Sequence, residues 1–269
     1  MQTRNLGARS ITGKATPYRD NWWWLVVAII GIIVLLAVLI PDPYWRIIKF
    51  VSDGILVSIG VTLVAFILTL FLGLLTALGR LSKIGIINWA TTIYVEIARG
   101  VPLLVQLLFW YFAFPSLIQS FGRLIQFEPF ERYLANPYFM AILGLTFCYA
   151  AYMSEIYRAG IQSISKGQNE AARSLGMTRG QAMRYIILPQ AIKVILPPVG
   201  NEFISLLKDS SLVSVVSVAD MTRRGREFMA ANFLPVETWL MVALLYLVMT
   251  LISARLVAWI ERKTRTEER

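Results

Sequence analysis

Apolar residues in this chain fall into six long unbroken runs, approximately 22–40, 52–79, 89–118, 138–160, 194–218 and 236–260. Each reaches the roughly 20 residues that cross a hydrocarbon core as a helix, and none alternates with the period of two that a barrel strand needs. The pattern predicts an all-α polytopic membrane protein with six transmembrane helices. The first run, "WWWLVVAIIGIIVLLAVLI", is longer than a signal-peptide core, and no small-x-small site follows at "PDPYW". It reads as a retained span with Trp22, Trp23 and Trp24 at the interface.

The polar stretch 161–193 interrupts this pattern for longest and carries helix signals of its own. Ser165 with Gln168, and Thr178 with Gln181, have capping-box spacing, while Gly176 offers a left-handed stop between two short helices. Pro189 removes a donor and is expected to end or kink the second helix. Ala171, Ala172 and Gly176 leave a slim surface that another protein can approach closely, rimmed by Glu170, Arg173 and Arg179. An amphipathic helix lying on lipid headgroups is the plainer alternative, but only Leu175 and Met177 are bulky here.

Composition fits the membrane reading, with 57% apolar and 16% charged residues and a mean hydropathy of +0.62. The formal charge of +10 matters through its placement. With the N-terminus in the cytoplasm, sixteen Lys and Arg lie inside, and seven lie outside: Arg46, Lys49, Arg123, Arg132, Arg223, Arg224 and Arg226. The positive-inside rule therefore puts both termini in the cytoplasm and explains the basic excess without a nucleic-acid partner. Loops 41–51, 119–137 and 219–235 then face outward, and the segments 80–88 and 161–193 face inward.

Several chemistries are excluded. The chain has no His, and its single Cys, Cys148, falls in an apolar run, which removes a disulfide, a Ser-His-Asp triad and a thiol or imidazole metal site. "GARSITGKA" imitates a phosphate loop, but five residues separate Gly7 from Gly13, and Ala15 stands where a magnesium-binding hydroxyl belongs. Any ATP chemistry must therefore reside in another chain.

Polar residues inside the runs are the candidate pathway groups, because a charge at mid-bilayer costs about 2.5–3.5 kcal/mol even on the lenient insertion scale. Tyr152 and Glu155 share a helix face, and Asn201, Glu202, Ser205, Lys208 and Asp209 form a polar stretch after a Pro pair. Gln106 and the aromatic run Phe109, Trp110, Tyr111 and Phe112 are placed beside the same solute path, with interfacial anchoring the alternative for the aromatics. Lys208 and Asp209 equally suit a structural network that holds the bundle together. Charges in the outward loop 219–235 suit either a docking surface or simple solvation.

The spacing Glu170, Ala171, Ala172, then Gly176, then Ile186, Leu188 and Pro189 resembles the EAA loop of permease subunits of type I ABC importers. "ARGVPLLVQLLFWYF", "AYMSEIYRAGIQSISKGQ" and "LPPVGNEFISLLKDSSLVSVV" are similar to the polar amino acid branch of that family. The resemblance implies a five-span permease domain over 52–260 with a coupling loop at 161–193. Outside it lie a basic segment 1–21, an extra N-terminal helix 22–40 and a tail 261–269. It implies a non-catalytic subunit of a bacterial inner membrane that binds no cofactor itself. Its partners would be an ABC ATPase dimer using ATP and Mg, a second or sister permease, an extracytoplasmic amino acid-binding protein and membrane lipid. Two other classes stay open: a receptor whose loop docks a signalling partner, and an ion-gradient-driven transporter, which the lack of internal repeats disfavours.

Overall fold

The computed structural model describes residues 22–265; the segment 1–21, with its phosphate-loop imitation, and the end of the tail lie outside the described residues. The described chain is helical throughout: α1 (Trp22–Leu39), α2 (Pro41–Arg80), α3 (Gly85–Gly100), α4 (Leu103–Leu108), α5 (Phe114–Ile125), α6 (Glu128–Glu131), α7 (Pro137–Gln162), α8 (Lys166–Ser174), α9 (Arg179–Ala182), α10 (Leu188–Asp209), α11 (Met221–Asn232) and α12 (Pro235–Arg265). Among the described residues four helices are long and apolar enough to cross a membrane, Pro41–Arg80, Leu103–Ile125, Pro137–Gln162 and Pro235–Thr264, and a shorter apolar one covers Trp23–Leu39.

Helix α2 departs most from the expected boundaries. The stretch 41–51, expected as a loop because Arg46 and Lys49 interrupt its hydropathy, is helical from Pro43 onward, past a non-helical Asp42 (φ −103°, ψ 112°), and opens a helix that runs on to Arg80, about 57 Å long at 1.5 Å per residue. Its buried positions Tyr44, Ile47, Val51, Gly54, Ser58, Val61 and Ala65 recur at steps of three and four, one stripe continued past the charges. The near half of that stripe packs on Met221 and Phe228 of α11 and Met241 and Val242 of α12, with Ile33 and Leu36 of α1 laid over it. The far half joins Leu107, Ala141, Leu145, Cys148 and Leu206 in the central core. Gly54 sets the approach of α11: a Cβ there would lie 2.7 Å from Met221 Cα.

Three prolines shape two further deviations, and the expected span 194–218 is α-helical only to Asp209, continuing as a 3-10 turn over Ser210–Val216. The expected span 89–118 is two helices, because Pro102 has no N–H for the Ala98 carbonyl and forces Val101 into an extended conformation (φ −99°, ψ 131°). Pro115 and Pro189 are each preceded by a π turn, Phe109–Ala113 and Met183–Ile187. In both, the amide that follows donates five residues back, Phe114 to Phe109 and Leu188 to Met183. The wider turn makes room for the ring, so the helix expected to end or kink at Pro189 runs on into α10 through that π turn. The segment 219–235, expected as a loop, holds α11, whose N-terminal amides at Thr222 and Arg223 are capped by buried Asp220.

Candidate functional site: a charged cavity at the helix break

Three elements meet beside the α3–α4 break. Arg99, Gly100, Val101, Pro102 and Leu103 form one wall of a cavity of about 350 Å³, Cys148, Tyr149 and Tyr152 of α7 a second, and Glu202 and Asp209 of α10 a third. The wall at the break owes its shape to Gln106, which is buried and donates from Nε2 to the carbonyls of Ala98 at 2.7 Å and Val101 at 2.8 Å. The first of these is the acceptor orphaned by Pro102. One side chain thus supplies the donor that the proline lacks, and the break stays open at little cost in unsatisfied backbone.

Within the cavity the groups are ordered by charge. Arg99 stacks its guanidinium 5.3 Å from the centroid of the Tyr152 ring. Asp209 receives a hydrogen bond of 2.7 Å from the Tyr149 hydroxyl. Glu202 and Asp209 are seven residues, about two turns, apart and so share the face of α10 turned to α7. Lys208 points elsewhere: it lines a separate groove with Ser211, Ala243, Tyr246, Leu247 and Thr250, against α12.

Glu155 sits one turn along α7 from Tyr152, in an ion cluster. Its Oε1 pairs with Arg80 of α2, its Oε2 accepts from Arg158 at 2.7 Å, and Arg99 approaches it at 3.7 Å. Arg99 is thus shared between cavity and cluster and ties α3 to α7 at that level.

Of the residues proposed from sequence for the pathway, Tyr152 and Glu202 line the cavity, Gln106 braces its wall, and Glu155 lies beside it. Asn201 and Ser205 are not among the residues lining it. Sequence reasoning missed Arg99 and Tyr149 and left Asp209 undecided. The available signals were an Arg beside a helix-breaking Gly-Val-Pro, and a Tyr-x-x-Tyr pair on one face of α7.

The loop that joins α7 to α10 folds as a compact double turn. Ser165 caps α8 by accepting from the Gly167 amide, without the reciprocal bond of a full box. Gly176 is left-handed at φ 82°, and the bonds Gly176 N to Arg173 O (3.0 Å) and Met177 N to Ala172 O (3.1 Å) close a Schellman motif. Thr178 and Gln181 make the complete capping box at α9. Ala172 is 3% exposed and turned inward, and Ala182 is buried too, so their small size lets the turns pack closely. Glu170, Ala171, Leu188 and Pro189 are exposed and Ile186 half-buried, and Leu175, 81% exposed, is the most prominent apolar group of this loop.

Comparison with known proteins gives a consistent picture. Residues 69–266 match the family described as binding-protein-dependent transport system inner membrane component. The chain is 34% identical over 221 residues to the glutamine transport system permease protein GlnP of Escherichia coli (strain K12), covering 82% of this chain and 95% of that one. It is 36% identical over 233 residues to the L-cystine transport system permease protein TcyB of Bacillus subtilis (strain 168), covering 83% and 92%. Among solved structures it is similar to an amino acid ABC transporter crystallised with histidines, at 39% identity and a TM-score of 0.71 over 80% of this chain and 94% of that one. The fold is also that of the MetNI methionine ABC transporter, at 19% identity and a TM-score of 0.58 over 82% of this chain and 96% of that one.

Proposed function

The chain belongs to the family of binding-protein-dependent transport system inner membrane components, and from that premise we propose that it carries a polar amino acid through the cavity between α3, α7 and α10. It is a multi-pass permease subunit of an ABC importer, non-catalytic itself, and the ATPase activity of such a system lies in a partner subunit. The relatives named above are permeases, which leaves the signalling and ion-gradient readings without support.

The observation that carries the proposal is the juxtaposition of Arg99 with Glu202 and Asp209 in one cavity walled by Tyr149 and Tyr152. An amino acid zwitterion needs an anion receptor and a cation receptor within one cavity, and Arg99 and the two carboxylates supply them.

Coupling runs through the loop. Its outward face, Glu170, Ala171 and Leu175, docks on the ATPase dimer, which binds ATP and Mg. Ala172 and Gly176 set the shape of the turn, and Ile186, Leu188 and Pro189 carry it into α10. Because α8 follows α7 and the π turn leads into α10, a push on this loop moves the two helices that bear Tyr149, Tyr152, Glu202 and Asp209. The cavity is thereby exposed to alternate sides as the ATPase closes and opens, the differential contact that any such switch requires. In this reading both termini are cytoplasmic, a second or sister permease completes the pathway, and an extracytoplasmic binding protein delivers the cargo.

Reconstitution with the partner ATPase and binding protein tests it: ATP-dependent accumulation of an amino acid in vesicles is expected, and accumulation without the ATPase would overturn it. Leu175→Glu and Ala171→Arg should abolish ATPase association while the chain still inserts. Unchanged association in both variants would refute the docking surface.

A further inference from the structure

The cavity described above is unbalanced in charge. It is lined by two carboxylates, Glu202 and Asp209, against one guanidinium, Arg99; the Glu155 carboxylate 3.7 Å from that guanidinium is already paired with Arg80 and Arg158. The obvious compensating charge, Lys208, faces the groove against α12. Tyr149 donates one hydrogen bond to Asp209 but brings no charge, and among the described residues Glu202 has no hydrogen-bond or ion-pair partner.

We infer that the preferred cargo is a cationic amino acid, its α-carboxylate held by Arg99 and its two positive groups by Glu202 and Asp209. The inference rests on the reading of this cavity as the cargo site. Charge matching decides between amino acid classes. A neutral zwitterion has one anion and one cation, so it satisfies Arg99 and one carboxylate and leaves the other unmatched in a half-buried site. An acidic amino acid adds a second anion and worsens the repulsion. A dibasic amino acid, with one anion and two cations, pairs every charged group, and a like-charge pair left unmatched in a half-buried cavity is what such a site discriminates against.

Shape and surface agree with this choice. Glu202 and Asp209 lie about 10 Å apart along α10 at 1.5 Å per residue, a separation suited to a cargo with charges at both ends of a long side chain. The volume, about 350 Å³, is at the small end of ligand sites and suits a single amino acid better than a peptide. The two tyrosine rings, with centroids 6.3 Å apart, line the wall that faces these carboxylates, Tyr149 with its hydroxyl on Asp209. The stacking of Arg99 on Tyr152 displays the affinity of such a face for a guanidinium or ammonium group.

The test is equilibrium binding of L-arginine, L-lysine, L-glutamine and L-glutamate to the permease–ATPase complex in lipid nanodiscs without the binding protein, so that only the membrane site selects. L-Arginine or L-lysine is expected to bind at least about tenfold tighter than L-glutamine, with L-glutamate weakest. Glu202→Gln and Asp209→Asn should each lower arginine affinity by about tenfold and glutamine affinity by less than about threefold. Asp209→Asn also alters the Tyr149 hydrogen bond, so Glu202→Gln is the independent arm should that variant fold poorly. If wild-type complex binds glutamine as tightly as arginine, and Arg99→Ala abolishes this binding, the cargo class is overturned while the cavity reading stands. If none of the four binds, or binding is indifferent to Arg99→Ala and Tyr152→Ala, the cavity reading falls and takes the inference with it.

Discussion

Replacing Glu155 by Gln removes the one carboxylate that three arginines share. In the wild-type chain Glu155 faces Arg80, Arg158 and Arg99 with its own side chain only 20% exposed. At an effective dielectric constant of about 20, unlike charges 3.7 Å apart, as in the Arg99 pair, attract by roughly 4–5 kcal/mol before desolvation is subtracted. Removing one partner of a buried pair typically costs about 3–5 kcal/mol, because the surviving charge is left uncompensated. Two features reduce this here: Arg99 and Arg158 are partly exposed and screened, and the Gln amide keeps one acceptor oxygen. A net loss of about 2–3 kcal/mol remains, equivalent to a fall of roughly 4–12 °C in Tm for a chain of this size. The assay is thermal unfolding of the purified permease–ATPase complex in detergent, with Arg80→Gln and the double variant completing a mutant cycle. A coupling energy of at least about 1 kcal/mol between positions 80 and 155 is expected. A Tm within about 1 °C of wild type for Glu155→Gln, or strict additivity in the cycle, would refute the view that this cluster fastens α2 and α3 to α7.

Gly54→Ala should destabilise by about 1–3 kcal/mol, since its Cβ would fall 2.7 Å from Met221 Cα and 2.8 Å from Met221 N, backbone atoms that cannot rotate away; a Tm equal to wild type would contradict so close an approach of α11 to α2. Gly176→Val places a β-branched residue at φ 82°, a cost of about 1–2 kcal/mol or more, and is expected to weaken ATPase association in pull-downs while membrane insertion continues; full association would argue against a fixed Schellman turn. On the outer side, Arg224 joins Asp53 of α2 at 2.6 Å to Glu227 at 3.0 Å. The hydrogen bond from Arg223, then that from Arg224, hold the Glu227 carboxyl below the usual glutamate range. Stabilisation from a depressed carboxyl is present above its unfolded value and lost as pH falls through the folded one. Unfolding followed from pH 6 down to pH 3 should therefore show a loss on the acid side, below about pH 4.3, that Glu227→Gln removes; an identical profile in that variant would sink the assignment.

The limits of the sequence are visible in particular residues. The loop 161–193 was largely legible, because caps obey local rules: Ser165, Gly176 and the Thr178–Gln181 box act through atoms within a few residues of themselves. Boundaries set by packing were not. The charges of Arg46 and Lys49 masked a helical start that becomes evident only when Tyr44, Ile47 and Val51 are found against α11 and α12. The break at Pro102 was absent from the expected third span, since hydropathy averages over a proline that a single glutamine side chain accommodates.

Hydrophobic runs, basic-residue placement and the missing histidines were enough to make this a helical membrane protein without a Ser-His-Asp triad or an imidazole metal site, because those properties depend on composition and on periods of a few residues. Which polar groups share a cavity was decided by tertiary structure alone. Lys208 and Asp209 are adjacent in sequence yet face different helices, and Arg99 meets Glu202 across more than a hundred residues. That assignment follows from the rotation of α10 between α7 and α12 and the bend at Pro102. Both depend on how whole helices pack, information that no short window of the chain contains.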